Sequence, residues 1–197
     1  MEEKIKGLKA VFDEQIKTPK HDEMCVYLLE PINIMEIINK ISFLKNKLSK
    51  IKDDEEKHYY NQLNKEDLKE IKWDIRFKII LEYPVTSNGF LIGVIDANIK
   101  VMGRPLFIFN NNKHEQGGEI DLFEFFIEVK PSIISIGETL RQLNIYFNYL
   151  KARSGEYSIK YINKPSFVLF TCKKETKFVF ESQDYSFISL EELEPNT

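Results

Sequence analysis

The chain has 197 residues and a mass of 23.3 kDa, the size of one domain or of one domain with a small appendage. Hydrophobic residues make up 43% and aromatics 13%, enough for a packed interior and against a disordered chain. The formal net charge of −3 excludes a polybasic protein that holds nucleic acid by charge alone, so any such role must rest on a local site. Two cysteines, Cys25 and Cys172, exclude a four-thiolate zinc or iron–sulfur centre and a disulfide framework. They are expected to be small buried apolar residues in a reducing, intracellular compartment, and a cytoplasmic location follows. No apolar run is long enough to span a membrane, and the first residues lack the apolar stretch of a signal peptide.

Residues 1–73 have helical character. Ile34, Ile37, Ile38, Ile41, Leu44, Leu48 and Ile51 recur at three and four, which predicts one amphipathic helix after Pro31, with Asn33 as its N-cap. The charged run Lys52 to Lys57 reads as a solvated face or turn, and a second, weaker helix is expected over Tyr59–Trp73.

The period then changes. Ile75, Phe77, Ile79, Leu81 and Tyr83 alternate with largely polar residues, a half-buried strand closed by Pro84. Ser87-Asn88-Gly89 signals a turn, and Phe90–Val101 is apolar on both faces, as in a covered central strand. A short strand at Leu106–Phe109, a polar loop over Asn110–Gly118 and a strand at Leu122–Lys130 follow. After Pro131, Ser135 and Glu138 form a capping box that opens a helix to about Lys151. Strands at Tyr157–Tyr161 and Phe167–Cys172, a short helix near Glu175–Ser182 and an edge strand at Tyr185–Leu190 complete the expected order. The whole reads as a single α/β domain with a helical region over 1–73 and an α/β core over 74–190.

Charge interrupts burial at a few places. Asp96 lies in an otherwise apolar strand, where an isolated carboxylate costs several kcal/mol unless it is paired or bound to a cation. Glu128 and Lys130 stand two apart and so share a face at the polar end of their strand. Two carboxylates and a lysine at one sheet edge suit a hard divalent cation and an attacking water. On the next helix Glu138, Gln142 and Tyr146 form a polar stripe at four-residue spacing.

The segments Leu81-Glu82-Tyr83-Pro84, Gly93-Val94-Ile95-Asp96, Ile127-Glu128-Val129-Lys130 and Gln142-Leu143-Asn144-Ile145-Tyr146 follow one another in that order. The series resembles the motifs of the PD-(D/E)XK nuclease superfamily, most of all its RecB-like exonuclease branch, over roughly residues 74–151. The resemblance implies a restriction-endonuclease-like core, a central mixed sheet flanked by helices, and hydrolysis of nucleic-acid phosphodiester bonds, DNA first. It implies that Asp96, Glu128 and the Val129 carbonyl ligate Mg²⁺ or Mn²⁺; Glu82 is either a further metal ligand or a surface glutamate at a strand end. Lys130 would position or deprotonate the water, and Gln142 and Tyr146 would orient the site or contact the nucleic-acid backbone. A catalytically inactive module of the same fold, binding nucleic acid or a protein partner, is the competing expectation, and a homo-oligomer is open; no membrane partner is expected.

The 32 positions between Asp96 and Glu128 exceed the usual hairpin spacing of that family, so an insertion is expected at about Met102–Asp121. Asp121 is an alternative ligand, but seven residues to Glu128 leave too little chain for a strand reversal. Many relatives carry an upstream histidine on a helix. His58 is the only helical candidate here, but nothing around it supports a ligand role; His21 and His58 both read as surface residues, and His114 as a solvated loop residue that could touch substrate. Other readings stay open: Asp96 as a structural carboxylate paired with Lys100 or Lys130, Glu128–Lys130 as an exposed strand edge, and Glu138 as a cap alone.

Overall fold

The structure, a computed structural model, describes residues 18–63, 68–111, 113–154 and 166–193. The helix α1 (Pro19–Tyr27) starts where Thr18 accepts the His21 N–H at 3.2 Å and Pro19 takes the first helical position. The helices α2 (Pro31–Lys40) and α3 (Ser42–Gln62) follow. One helix was expected over this stretch. Ile41 instead adopts an extended conformation (φ −91°, ψ 103°) and breaks it, with no Pro or Gly to signal the break. The N-cap is Glu30 and not Asn33. The apolar period survives the break: Ile34, Ile37, Ile38, Ile41, Leu44 and Ile51 are all buried in one cluster.

The second helix expected over Tyr59–Trp73 does not form as such. Helix α3 carries the charged run and ends at Gln62, residues 64–67 lie outside the description, and β1 (Leu68–Ser87) begins within the expected helical region. Trp73 is held to α3 by its indole N–H donating to Glu56 at 2.7 Å. Pro84 does not close β1 because β1 is an edge strand, where a missing N–H costs no ladder bond. Asn88 and Gly89 at φ 48° and 79° make the turn into β2 (Phe90–Phe109), as a two-residue hairpin of this twist requires.

Strand β2 is one continuous element where a strand, a gap and a short strand were expected. It overshoots its neighbour, and the polar loop carries a short strand, β3 (His114–Gln116), that pairs back on Leu106–Ile108. That excursion accounts for the long spacing between Asp96 and Glu128. Strand β4 (Ile120–Lys130) runs antiparallel to β2, helix α4 (Ile136–Ser154) crosses over, and β5 (Phe167–Thr171) returns parallel to β4. Helix α5 (Lys177–Glu181), β6 (Ser186–Ser189) and helix α6 (Leu190–Leu193) complete the described chain. The expected strand at Tyr157–Tyr161 lies outside the described residues.

The result is an α/β fold with a six-stranded mixed sheet, ordered β1-β2-β4-β5-β6 with β3 on β2, and helices on both faces. One buried cluster joins α1, α2 and α3 to Ala97, Ile99, Val101, Phe125, Ile127, Val129, Val168 and Phe170. The other joins Leu143, Tyr146 and Leu150 of α4 to Val85, Ile95, Phe126, Phe167 and Leu169. Two helical layers thus enclose the sheet, which buries apolar side chains on both faces. Among the described residues, no helix is long and apolar enough to cross a membrane.

Candidate functional site

Along β1 and β2 the burial pattern inverts at one point. Leu81 and its partner Ala97 pack with the α1–α3 layer, while Tyr83 and its partner Ile95 pack with the α4 layer. Residues two apart in a regular strand share a face, so the paired strands change face between these positions. The residues in between are Glu82, at φ 52°, and Asp96. The β2–β4 pairing also stops here, its last partners being Ala97 and Ile127. Beyond that point β2 stays with β1 and β4 continues with β5. The sheet therefore opens beside Asp96 and Glu128.

Side chains satisfy main-chain groups at this opening. The Asp96 Oδ2 accepts the Val129 N–H at 2.8 Å, and the Tyr146 hydroxyl donates to the Val94 carbonyl at 3.1 Å. Gly93 makes room for Tyr146, since a β-carbon at position 93 would lie 2.5 Å from its ring. That is the physical reason for a glycine three residues before Asp96.

The network continues through α4. The Gln142 amide donates to Glu128 Oε1 and to the Tyr146 hydroxyl, each at 3.0 Å. Lys130 Nζ stands 3.1 Å from the same Glu128 oxygen. Glu128 is fully buried, and the side chain of Lys130 is only 17% exposed, so this ion pair sits out of bulk water. Burial first, then the charge of Glu128 and to a lesser degree that of Asp96, push the Tyr146 hydroxyl up to about 12, against the pull of the Gln142 bond. Both carboxylates thus act on one phenol.

On the opposite side, His21 Nε2 lies 3.1 Å from Asp96 Oδ1. His21 is buried (8% exposed), as is Asp96 (6%). This corrects the expectation of a surface His21. Both His21, on α1, and His58, on α3, lie on helices before the sheet; His21 meets Asp96, while His58 is exposed and bonds Gln62 at 2.9 Å. One signal in the sequence bore on His21: Thr18-Pro19 is an N-cap and first-turn pair that places it at a helix start. Its burial, however, comes from packing that no local pattern encodes. Cys25, four residues on, lies 3.7 Å from His21 Nδ1 and 4.0 Å from Nε2. Neither cysteine is fully buried as expected, and Cys172 donates to the sulfur of Met24 at 3.6 Å.

The remaining candidates fall elsewhere. Asp96 pairs with neither Lys100 nor Lys130: Lys100 is with Asp121 at 2.6 Å on the surface, which also removes Asp121 from the site. Glu128–Lys130 is buried and not an exposed edge. Glu82 lies on β1 between the partners of Ala97 and Ile95 and is exposed. The group of Val129 that meets Asp96 is its N–H. The Glu138 N–H is capped by Ser135 at 3.3 Å, and its carboxylate pairs with Arg141 at 3.2 Å in solvent. His114 is exposed on β3.

The structure therefore joins Asp96, Glu128, Val129, Lys130, Gln142 and Tyr146 at one opening in the sheet, and adds His21 and Cys25. Asp96 takes its side-chain partner from α1 and Glu128 from α4, so the group straddles the sheet. No family model, no curated protein and no solved structure matches the chain.

Proposed function

We propose that the protein is a metal-dependent nuclease that hydrolyses phosphodiester bonds of DNA, with a restriction-endonuclease-like core. The observation that carries this reading is the connected network at the sheet opening. Asp96, Glu128, Lys130, Gln142 and Tyr146, whose motif order resembles the PD-(D/E)XK series, come from two strands and a helix; the last four are bonded side chain to side chain, and Asp96 joins them through the Val129 main chain. The mixed sheet flanked by helices supports the same fold.

The donor chemistry fits a divalent cation. Two buried carboxylates face a region where β2 and β4 no longer pair, and hard cations such as Mg²⁺ and Mn²⁺ take oxygen donors. Asp96 and Glu128 would hold the ion. When bound, such an ion makes water a stronger acid and offsets charge on a phosphate. Lys130 offsets the charge of Glu128 and would set a positive charge beside a phosphate bound at the opening. Gln142 fixes the Glu128 carboxylate and Tyr146 in one orientation. Tyr146, held neutral by its surroundings, stays a hydrogen-bond donor throughout the physiological range.

A second reading is a nuclease-fold module that binds nucleic acid or a protein partner without turnover. Two observations favour it: Glu128 is fully buried, and the two carboxylates take partners from opposite helical layers. The test is cleavage of labelled DNA with Mg²⁺ or Mn²⁺ by the wild type, Glu128→Ala and Lys130→Ala. Metal-dependent cleavage lost in both folded variants supports the nuclease. Cleavage retained at full rate in both sinks it, and DNA binding without turnover in the wild type selects the second reading.

A further inference from the structure

The carboxylate–lysine reading leaves His21 and Cys25 unused, yet each sits beside Asp96. Their spacing on α1 is four residues, one helical turn, so both side chains project from the same face. One nitrogen of His21, the sulfur of Cys25 and one oxygen of Asp96 all lie within 4.8 Å of one another. Metal–nitrogen and metal–oxygen bonds of about 2.0–2.2 Å and metal–sulfur bonds of about 2.3 Å place donors about 3–4 Å apart around a common ion. The separations of 3.1 Å from His21 Nε2 to Asp96 and 4.0 Å from the same nitrogen to Cys25 match that spacing.

The hydrogen-bond chemistry points the same way. His21 turns Nε2 to the carboxylate of Asp96 and Nδ1 to that of Asp22, 3.4 Å away. A neutral imidazole has a single N–H, so it can donate to only one of two acceptors. With the proton on Nε2, His21 donates to Asp96 at 3.1 Å; a metal ion would take the place of that proton between the same two atoms and leave the imidazole N–H on Nδ1, toward Asp22. A carboxylate behind a histidine whose other nitrogen faces a cation seat is the arrangement that orients metal-bound histidines. Asp96 is oriented too, because its second oxygen is fixed by the Val129 N–H.

We propose that His21, Cys25 and Asp96 form a three-ligand seat for a thiolate-accepting divalent transition ion of the Zn²⁺ class. An imidazole, a thiolate and a carboxylate make a donor set that Zn²⁺ and Co²⁺ accept and Mg²⁺ does not. Three protein ligands leave one position of a tetrahedral ion open to water or to a phosphate oxygen. The seat shares only Asp96 with the nuclease reading and gives that carboxylate an ion held with His21 and Cys25 in place of Mg²⁺ or Mn²⁺ held with Glu128, and its test contains no nucleic acid.

The test is titration of the metal-free, reduced full chain with Co²⁺, followed by absorbance. Thiolate ligation gives a near-ultraviolet sulfur-to-cobalt charge-transfer band. The expected result is a stoichiometric band that Zn²⁺ abolishes and that an excess of Mg²⁺ leaves in place. Cys25→Ser removes the band, Cys172→Ser keeps it, and His21→Gln weakens Co²⁺ binding by at least about tenfold. The cysteine pair decides the matter even if His21→Gln fails to fold, because both serine variants change a single atom and circular dichroism reports their fold. No band in the wild type, or a band that survives in folded Cys25→Ser or vanishes in folded Cys172→Ser, overturns the seat. An unaltered Co²⁺ affinity in folded His21→Gln overturns it as well. A confirmed seat with no DNA cleavage would leave the metal site standing and remove only the nuclease.

Discussion

The two ends of the β1–β2 hairpin both gather ionisable side chains and use them in opposite ways. Toward the far end, Asp74, Arg76, Arg104 and Glu119 make ion pairs of 2.8–3.9 Å on the surface, and Lys100 pairs with Asp121 beside them. Toward the sheet opening, Asp96, Glu128, His21 and Lys130 are withdrawn from water and bonded to one another, to main chain and to an amide. Water screens the first group, so each pair there contributes little. The second group has lost its solvation, and each partner has become indispensable to the others. Burial separates the two regions.

The sharpest way to break this contrast is to remove one partner of a buried pair. Lys130→Ala leaves the fully buried Glu128 without its cation, and an expected loss of about 3–5 kcal/mol in unfolding free energy should appear in urea denaturation. A loss below about 1 kcal/mol would mean that the opening is as well solvated as the surface pairs.

A smaller effect is expected with pH. The Tyr146 hydroxyl is raised to about 12 from an ordinary value near 10, so the folded state favours the neutral phenol. The corresponding stabilisation is complete below about pH 10 and is lost as pH rises toward about 12, an amount of about 2–3 kcal/mol. Tyr59 and Tyr185 are also raised, chiefly by burial, so the useful quantity is the difference between wild type and Tyr146→Phe across that window. The variant should lose less stability than the wild type between pH 10 and 12; parallel curves would place Tyr146 in contact with water.

The smallest effect belongs to the surface. Asp121→Ala breaks its pair with Lys100, both half exposed, and should change stability by no more than about 1 kcal/mol and leave any cleavage untouched. A larger change would make the far end part of the site.

Much of this division was legible in the residues. Alternation marked β1 and β4, Asn88-Gly89 marked the hairpin, and Ser135 capped α4 as its spacing with Glu138 suggested. The two-residue step from Glu128 to Lys130 and the four-residue step from Gln142 to Tyr146 placed each pair on one face, and both pairs meet. What could not be read were features set by long-range packing. Ile41 breaks a helix inside an unbroken apolar period. Leu68–Trp73 extends β1 because it pairs with Pro105–Phe109, residues more than thirty positions away. His21 is buried only because α1 lies against the sheet opening, 75 positions from Asp96 in the chain. The inversion at Glu82 and Asp96 has no local signature either, and it is what turns an ordinary strand aspartate toward α1.

The central claim is that the buried group at the sheet opening performs metal-dependent chemistry on DNA. The most direct measurement is the initial rate of DNA cleavage in Mn²⁺, with a chelator control, for the wild type and for Asp96→Asn, which keeps the shape of Asp96 and removes its charge. The account predicts chelator-sensitive cleavage by the wild type and a loss of at least about 100-fold in the folded variant. Equal rates for the two proteins, or no cleavage by the wild type in Mn²⁺, Mg²⁺ or Zn²⁺, would contradict it.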